Sequence, residues 1–160
     1  MRPSRAGGAR ALDLAMGSGR HAAALARAGF RTFGVDIALD AVGDTLRRAS
    51  AAGLTIRGWC ADLTQFPLPR GRFDAIVVAR YLQRDLFAAI GAALAPGGVI
   101  IYETFTTAQR AHGRGPTSPD HLLEPGELKA RFEGLKLLFY EEVFEPDAVA
   151  RIVARRPSGS

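Results

Sequence analysis

Short runs of crowded apolar residues alternate along the chain with stretches where apolar residues recur every three or four positions. Ala9 to Ala15 reads as a short buried strand. Arg20 to Ala28 reads as a helix of alanines and Leu25 that Gly29 stops. Arg31 to Val35 is a second strand, and Leu39 to Ser50 a helix with the apolar face Leu39, Val42, Leu46 and Ala49. Gly53 to Gly58 and Phe73 to Ala79 are two more strands, the latter apolar on both faces. The helix predicted over Gln83 to Leu94 ends at Ala95-Pro96-Gly97-Gly98, which cannot continue it. Val99 to Phe105 is a fifth strand. Strands that alternate with helices predict a parallel sheet with both faces covered.

The last third has another grammar. Thr106 to Glu124 reads as a long polar loop and Glu127 to Phe132 as a short helix. Leu135 to Phe144 and Val149 to Ala154 are strands joined by only Glu145-Pro146-Asp147-Ala148. So short a connection forces an antiparallel hairpin, because a parallel crossover needs about a dozen residues or more. The predicted fold class is therefore α/β, doubly wound, with a mostly parallel sheet and an antiparallel C-terminal hairpin strand.

Composition narrows the class of molecule. With 160 residues, 48% of them apolar, the chain is read as one domain over 1–160, able to bury about 70% of its unfolded surface. Uncharged apolar runs such as Ala75 to Ala79 fall far short of the roughly 20 residues of a membrane helix. Met1 to Arg10 is basic and lacks the apolar stretch of a signal peptide. Cys60 stands alone, so no internal disulfide or multi-cysteine metal site is available. No histidine or carboxylate spacing suggests a metal. The expectation is a cytoplasmic protein without a membrane partner.

A net charge of +5 raises the question of a nucleic-acid partner. All the basic residues except Lys129 and Lys136 are arginine, scattered in runs no longer than Arg47-Arg48 or Arg155-Arg156. A nucleic-acid groove concentrates cations and interleaves aromatics. The linear sequence shows no such concentration, and no nucleic-acid partner is expected.

The segment Leu12-Asp13-Leu14-Ala15-Met16-Gly17-Ser18-Gly19-Arg20-His21 carries the most chemistry. A strand runs into a glycine turn and then a helix, so a ligand can approach the backbone beside free N–H groups and the positive end of the helix dipole. Read as G-x-G-x-x-A, Gly17, Gly19 and Ala22 would suit a dinucleotide pyrophosphate. Asp13, four residues ahead of Gly17, argues otherwise: a carboxylate there repels a pyrophosphate and favours a cationic ligand or one reached through water.

With those residues in place, the sequence resembles the class I S-adenosylmethionine-dependent methyltransferases. Their first motif, an acid closing strand one before a Gly-x-Gly turn, is matched by Asp13, Gly17 and Gly19. Asp36 follows strand two, where the resemblance places an acid on the ribose hydroxyls. Ala61-Asp62-Leu63 follows strand three, where the acid meets the adenine amino group and the next N–H meets the ring. Phe73-Asp74-Ala75-Ile76-Val77-Val78 and Leu94-Ala95-Pro96-Gly97-Gly98 match strand four and the turn into strand five. The resemblance implies a seven-stranded Rossmann-like sheet of order 3-2-1-4-5-7-6 and S-adenosyl-L-methionine as cofactor, held by Asp13, Ala15, Gly17, Ser18, Gly19, Asp36, Ile37, Asp62, Leu63 and Ala79. Tyr102-Glu103-Thr104-Phe105 and the loop around Gly113 to Leu123 are similar to small bacterial members grouped with the tellurite-resistance methyltransferases. Ala15 departs from the family's glycine. The helices that the family carries ahead of strand one have no counterpart in the ten residues present.

The function so implied is methyl transfer to a small-molecule nucleophile. By position at the ends of strands four and five, Arg80, Tyr81 and Arg114 are candidates to bind the acceptor. Tyr102, Glu103 and His112 are candidates to orient it or take its proton. The loop from Thr106 to Glu124, with Arg110, His112, Arg114 and His121, is expected to act as a lid. Asp13, Asp36 and Asp62 have plainer readings as helix caps or loop acids, Cys60 as an inert buried thiol and His21 as structural. Two rival functions are an NAD-dependent oxidoreductase, which leaves Asp13, Asp62 and the hairpin without a role, and a binding module without catalysis.

Overall fold

A computed structural model describes residues 7–159. Seven strands, β1 (Arg10–Leu14), β2 (Arg31–Asp36), β3 (Ile56–Cys60), β4 (Phe73–Ala79), β5 (Leu94–Phe105), β6 (Lys136–Val143) and β7 (Val149–Arg155), form one sheet. Its order is β3-β2-β1-β4-β5-β7-β6. The first five strands run parallel, and β7 lies antiparallel to both β5 and β6. The helices are α1 (Arg20–Arg27), α2 (Leu39–Ala51), α3 (Phe87–Ala93) and α4 (Glu127–Arg131). This is the expected doubly wound α/β sheet with its antiparallel hairpin. No helix among the described residues is long and apolar enough to cross a membrane. The expectation about segments ahead of β1 falls largely on Met1 to Ala6, outside the described residues.

Both sheet faces are covered unevenly. Leu12, Leu14, Ile76, Ile100 and Tyr102 face the larger core, into which Phe87 and Ile90 of α3 and Leu128 of α4 pack. On the opposite face, Ala22 of α1 and Ala49 of α2 close on Ile56. In α2 the buried stripe is Val42, Thr45 and Ala49. Leu39, expected on that stripe, is 70% exposed instead.

Two boundaries move for physical reasons. β3 begins at Ile56 rather than Gly53 because Gly53, at φ +70°, and Leu54 finish α2: their N–H groups donate to the carbonyls of Ser50 and Ala49. β5 begins at Leu94 because Leu94 already pairs with Phe73; the ladder then shifts register across Pro96-Gly97-Gly98, where Gly97 is left-handed at φ +77°, and resumes at Val99 opposite Ala75. Gly98 packs so tightly there that a Cβ would lie 2.7 Å from the Phe73 carbonyl oxygen. Cys60, expected to be buried, is exposed, its thiol donating to the Ile37 carbonyl.

Candidate functional site

Parallel strands all point their carboxyl ends to one edge of the sheet, where β1, β2 and β3 each deliver an aspartate. Asp13 is buried, and its Oδ2 accepts the N–H of Ala22 at 2.9 Å, in the first turn of α1. That is the capping reading: the carboxylate satisfies a donor that the helix start leaves open. Burial raises its pKa from 3.8 to about 6 against the pull of the Ala22 N–H, with the charge of Asp36 adding to the rise. Asp13 thus fixes the angle at which α1 leaves the turn.

The turn between β1 and α1 is held from every side. Ala15 sits at φ +55°, a left-handed conformation that L side chains rarely adopt, which is the physical counterpart of the glycine expected there. Gly17 and Gly19 are also left-handed. Gly17 donates its N–H to Asp36 Oδ2 at 2.9 Å, while its carbonyl accepts the Thr45 hydroxyl at 3.0 Å. A Cβ on Gly19 would stand 2.3 Å from Thr45 Cγ2, so only glycine lets α2 approach. Arg48 Nη2 donates to the Ser18 carbonyl at 2.7 Å.

Asp36 uses its second oxygen on the N–H of Ala38 at 2.9 Å. Asp62 Oδ1 accepts the Thr64 N–H at 2.9 Å and the Thr64 hydroxyl at 2.7 Å, bonds that lower its pKa. Each carboxylate keeps acceptor lone pairs beyond these bonds, since an ionised carboxylate offers about four. Both line a cleft of about 410 Å³. Its apolar wall is Ala15, Ile37, Leu63 and Tyr81, with Ile37 69% exposed. Burial, followed by the charges of Asp62 and Asp36, pushes the Tyr81 phenol pKa up.

The structure therefore gathers Ala15, Asp36, Ile37, Asp62, Leu63 and Tyr81 around one space, with Asp13, Gly17, Ser18 and Gly19 shaping the turn beside it. Ala79 ends β4 in register with Glu103. Arg80, the other non-glycine residue with positive φ among those described, follows at +56°. Backbone strain of this kind concentrates at working sites.

Apart from Tyr81, which lines the cleft, the candidates for acceptor chemistry lie elsewhere or are already engaged. Tyr102 is turned into the core against Phe87, and its hydroxyl donates to the Tyr81 carbonyl at 2.6 Å. Burial pushes that phenol far up, so it neither faces the cleft nor gives up a proton. Glu103 pairs with Arg151 and, at 3.0 Å, with Arg80. Burial would raise its pKa, but these arginines outweigh it and hold the carboxyl below its usual range. Arg80 also reaches Asp147 at 3.3 Å and lies 4.4 Å from the Phe105 ring centre. Arg114 pairs with Asp147 at 2.6 Å, and His112 Nε2 donates to the Phe144 carbonyl at 2.7 Å.

Those contacts also correct the expectation of a long structureless loop. Thr106 to Glu124 is not irregular: it holds 3-10 turns at Thr107–His112 and Pro119–His121. Gln109, fully buried, accepts the Ala148 N–H at 2.7 Å and donates to the Arg114 carbonyl at 3.1 Å. The segment is strapped to the β6–β7 turn by these bonds. Gln109, polar and unremarked in the sequence, supplies the buried part of the strap, and Arg114 and His112 its exposed part.

His21, read from the sequence as structural, sits in the first turn of α1. Its Nε2 is the one buried side-chain polar atom without a partner among the described residues. Burial, then Arg20, lowers its pKa, while Glu103 opposes them. It is thus a neutral imidazole at the start of α1, next to the glycine turn. Thr45 is the residue that reading the sequence passes over, a polar residue inside an apolar helix stripe.

Comparisons with known proteins agree on one group. A family described as a methyltransferase domain matches residues 11–98. The demethylmenaquinone methyltransferase of Thermus thermophilus is 36% identical over 103 residues, or 60% of this chain and 47% of that protein. The chain thus spans about half the length of this curated relative. Among solved structures, TehB from Haemophilus influenzae superposes with a TM-score of 0.76 at 18% identity, covering 94% of this chain and 58% of TehB. A S-adenosylmethionine-dependent methyltransferase from Mesorhizobium loti gives 0.74 at 20% identity, covering 96% and 93%. The [4+2]-cyclase SpnF gives 0.76 at 19%, covering 96% and 76%. At such identities the likeness is one of fold, and the cyclase among them illustrates that this fold hosts more than one chemistry.

Proposed function

The chain belongs to the methyltransferase-domain family, of the class I S-adenosylmethionine-dependent type, and we propose that it transfers a methyl group from S-adenosyl-L-methionine to a small-molecule nucleophile. The observation that carries the reading is the single cleft in which the carboxylates closing β2 and β3 meet the left-handed turn after β1. A space of about 410 Å³ lies within the range of about 300–1,000 Å³ typical of small-molecule sites. Two carboxylates with acceptor capacity to spare suit hydroxyl and amino donors, and the apolar wall suits a flat ring. The donor set fits the cofactor.

S-adenosyl-L-methionine supplies a methyl group already activated on a cationic sulfonium, so the protein has to bind, align and exclude water. Asp36 would take the ribose hydroxyls, and Asp62 with the Leu63 N–H the adenine edge. Ile37 and Tyr81 would cover the ring. The turn Ala15 to Gly19 would hold the amino-acid end, with Asp13 fixing the helix behind it. His21, whose Nε2 is buried behind the turn and whose pKa burial lowers, is given no part in binding the acceptor. Arg80 and Arg114 would favour an anionic acceptor only after release from Asp147 and Glu103.

Calorimetric titration tests the reading. S-adenosylhomocysteine is expected to bind and NAD to give no heat. NAD binding without a response to S-adenosylhomocysteine would overturn it. A chain that binds S-adenosylhomocysteine but methylates no acceptor in a panel of quinols, thiols and metalloid oxyanions would be the binding module instead.

A further inference from the structure

A parallel sheet normally has helices on both faces, yet one part of this sheet does not. The connection from β3 to β4, residues 61–72, contains no helix. Among the described residues, the face of β2 and β3 turned away from α1 and α2 is covered there by this loop, from which Leu68 is buried and Pro69 exposed. What remains open is a cleft of about 450 Å³ floored by Phe33, Trp59 and Phe73. Phe33 and Phe73 meet edge to face at 5.9 Å.

Arginines ring this aromatic floor. Arg10, Arg31 and Arg72 line the cleft. The guanidinium carbons of Arg31 and Arg57 lie 5.8 and 6.0 Å from the centre of the Phe33 ring. Among the described residues, no ion pair joins any of these four arginines to a carboxylate. Asp74 accepts the backbone N–H of Arg10 at 2.8 Å. By contrast, Arg80, Arg114 and Arg151, near the carboxyl ends of β4 and β5 and the adjoining amino end of β7, are paired. Scattered in sequence, the four around the aromatic floor are gathered in space by the parallel register: Arg10 is opposite Arg31, and Phe33 opposite Arg57.

We propose that this cleft is a second ligand site, for a small anion that carries a flat aromatic ring, of nucleoside monophosphate size. Stacked guanidiniums and aromatic rings bind a planar ring by its faces, and uncompensated arginines bind a phosphate in a forked, charge-assisted geometry. An anion without a ring leaves the floor wet, and a ring without an anion leaves the arginines unpaired. The site is separate from the aspartate cleft and does not depend on the methyl-transfer reading.

The sole tryptophan, Trp59, reports on it directly. Guanosine 5′-monophosphate, titrated in low salt with S-adenosylhomocysteine in excess, is expected to quench Trp59 emission saturably. Guanosine alone and inorganic phosphate alone should each bind at least about tenfold more weakly. Arg31→Ala with Arg72→Ala, both exposed positions, should weaken the nucleotide by at least about tenfold at unchanged melting temperature, and Asp36→Ala should leave it as it was. Absence of quenching, equal binding of inorganic phosphate, or quenching that survives the arginine substitutions but is lost with Asp36→Ala would each overturn the proposal. The last result would place the nucleotide in the aspartate cleft.

Discussion

The two halves of the sheet's carboxyl edge are built from the same kinds of residue to opposite plans. At β1, β2 and β3, each carboxylate bonds to backbone N–H groups: Asp13 to Ala22, Asp36 to Gly17 and Ala38, Asp62 to Thr64, whose hydroxyl it also accepts. These bonds leave acceptor capacity toward a cleft. At β4, β5 and β7, carboxylates bond to side chains: Glu103 to Arg80 and Arg151, Asp147 to Arg80 and Arg114. Charge there is consumed within the protein. The first plan makes a socket for a ligand with hydrogen-bond donors; the second makes a clasp that ties the hairpin to the sheet.

The largest expected effect tests how rigid the first half is. Gly19→Ala puts a Cβ into Thr45 at a left-handed position and should cost about 3 kcal/mol, strain and overpacking together. Adding Thr45→Ser removes the methyl that is struck and should recover part of that loss in urea denaturation. Full tolerance of Gly19→Ala would mean that the turn is not locked by α2.

The pH response should have opposite signs at Asp13 and at Glu127, the first residue of α4, which pairs with Arg84 of the β4–α3 connection at 2.8 Å. Asp13 has a folded pKa of about 6 against 3.8 unfolded. The folded chain therefore holds the proton more tightly, so stability falls as pH rises from about 4 to 6, by about 2–3 kcal/mol. Asp13→Asn, which can still accept from Ala22, should remove that decline. Glu127, held by Arg84, has its pKa lowered to about 2. It contributes stability above pH 4.5 that is lost as pH falls toward 2, a loss that Glu127→Gln should abolish. Unfolding midpoints measured from pH 2 to 8 in the two variants separate these windows.

A smaller effect concerns strain at the cleft. Ala15→Gly relieves a left-handed alanine and should stabilise the chain by about 1 kcal/mol, offset in part by the freer unfolded chain. No change in stability would mean that the surroundings of Ala15 impose no strain.

How much of this was legible in the sequence follows the same divide. The strand and helix order was legible because apolar period and glycine stops are local signals. The positions of Asp13, Asp36 and Asp62 were legible because each closes a strand, and in a parallel sheet strand ends share an edge. Their partners were less so: that Asp36 bonds Gly17 requires knowing that β1 and β2 are neighbours. Glu103, Arg80 and Asp147 lie 23 and 67 residues apart in their pairings, and no pattern in the chain announces such pairs. Tyr102 shows the cost of reasoning by position alone, since strand alternation turned it to the core one residue before Glu103. The arginine-ringed cleft was invisible for a related reason: its cations come from four separate segments.

The central claim is that the cofactor sits in the half where carboxylates serve the backbone. It is tested most directly by the affinity for S-adenosylhomocysteine of Asp36→Ala and Arg114→Ala, measured side by side by calorimetry. The account predicts that Asp36→Ala weakens binding by about 2 kcal/mol or more, the scale of a lost charged acceptor, and that Arg114→Ala leaves it unchanged. Equal affinities in both variants, or a loss confined to Arg114→Ala, would contradict it.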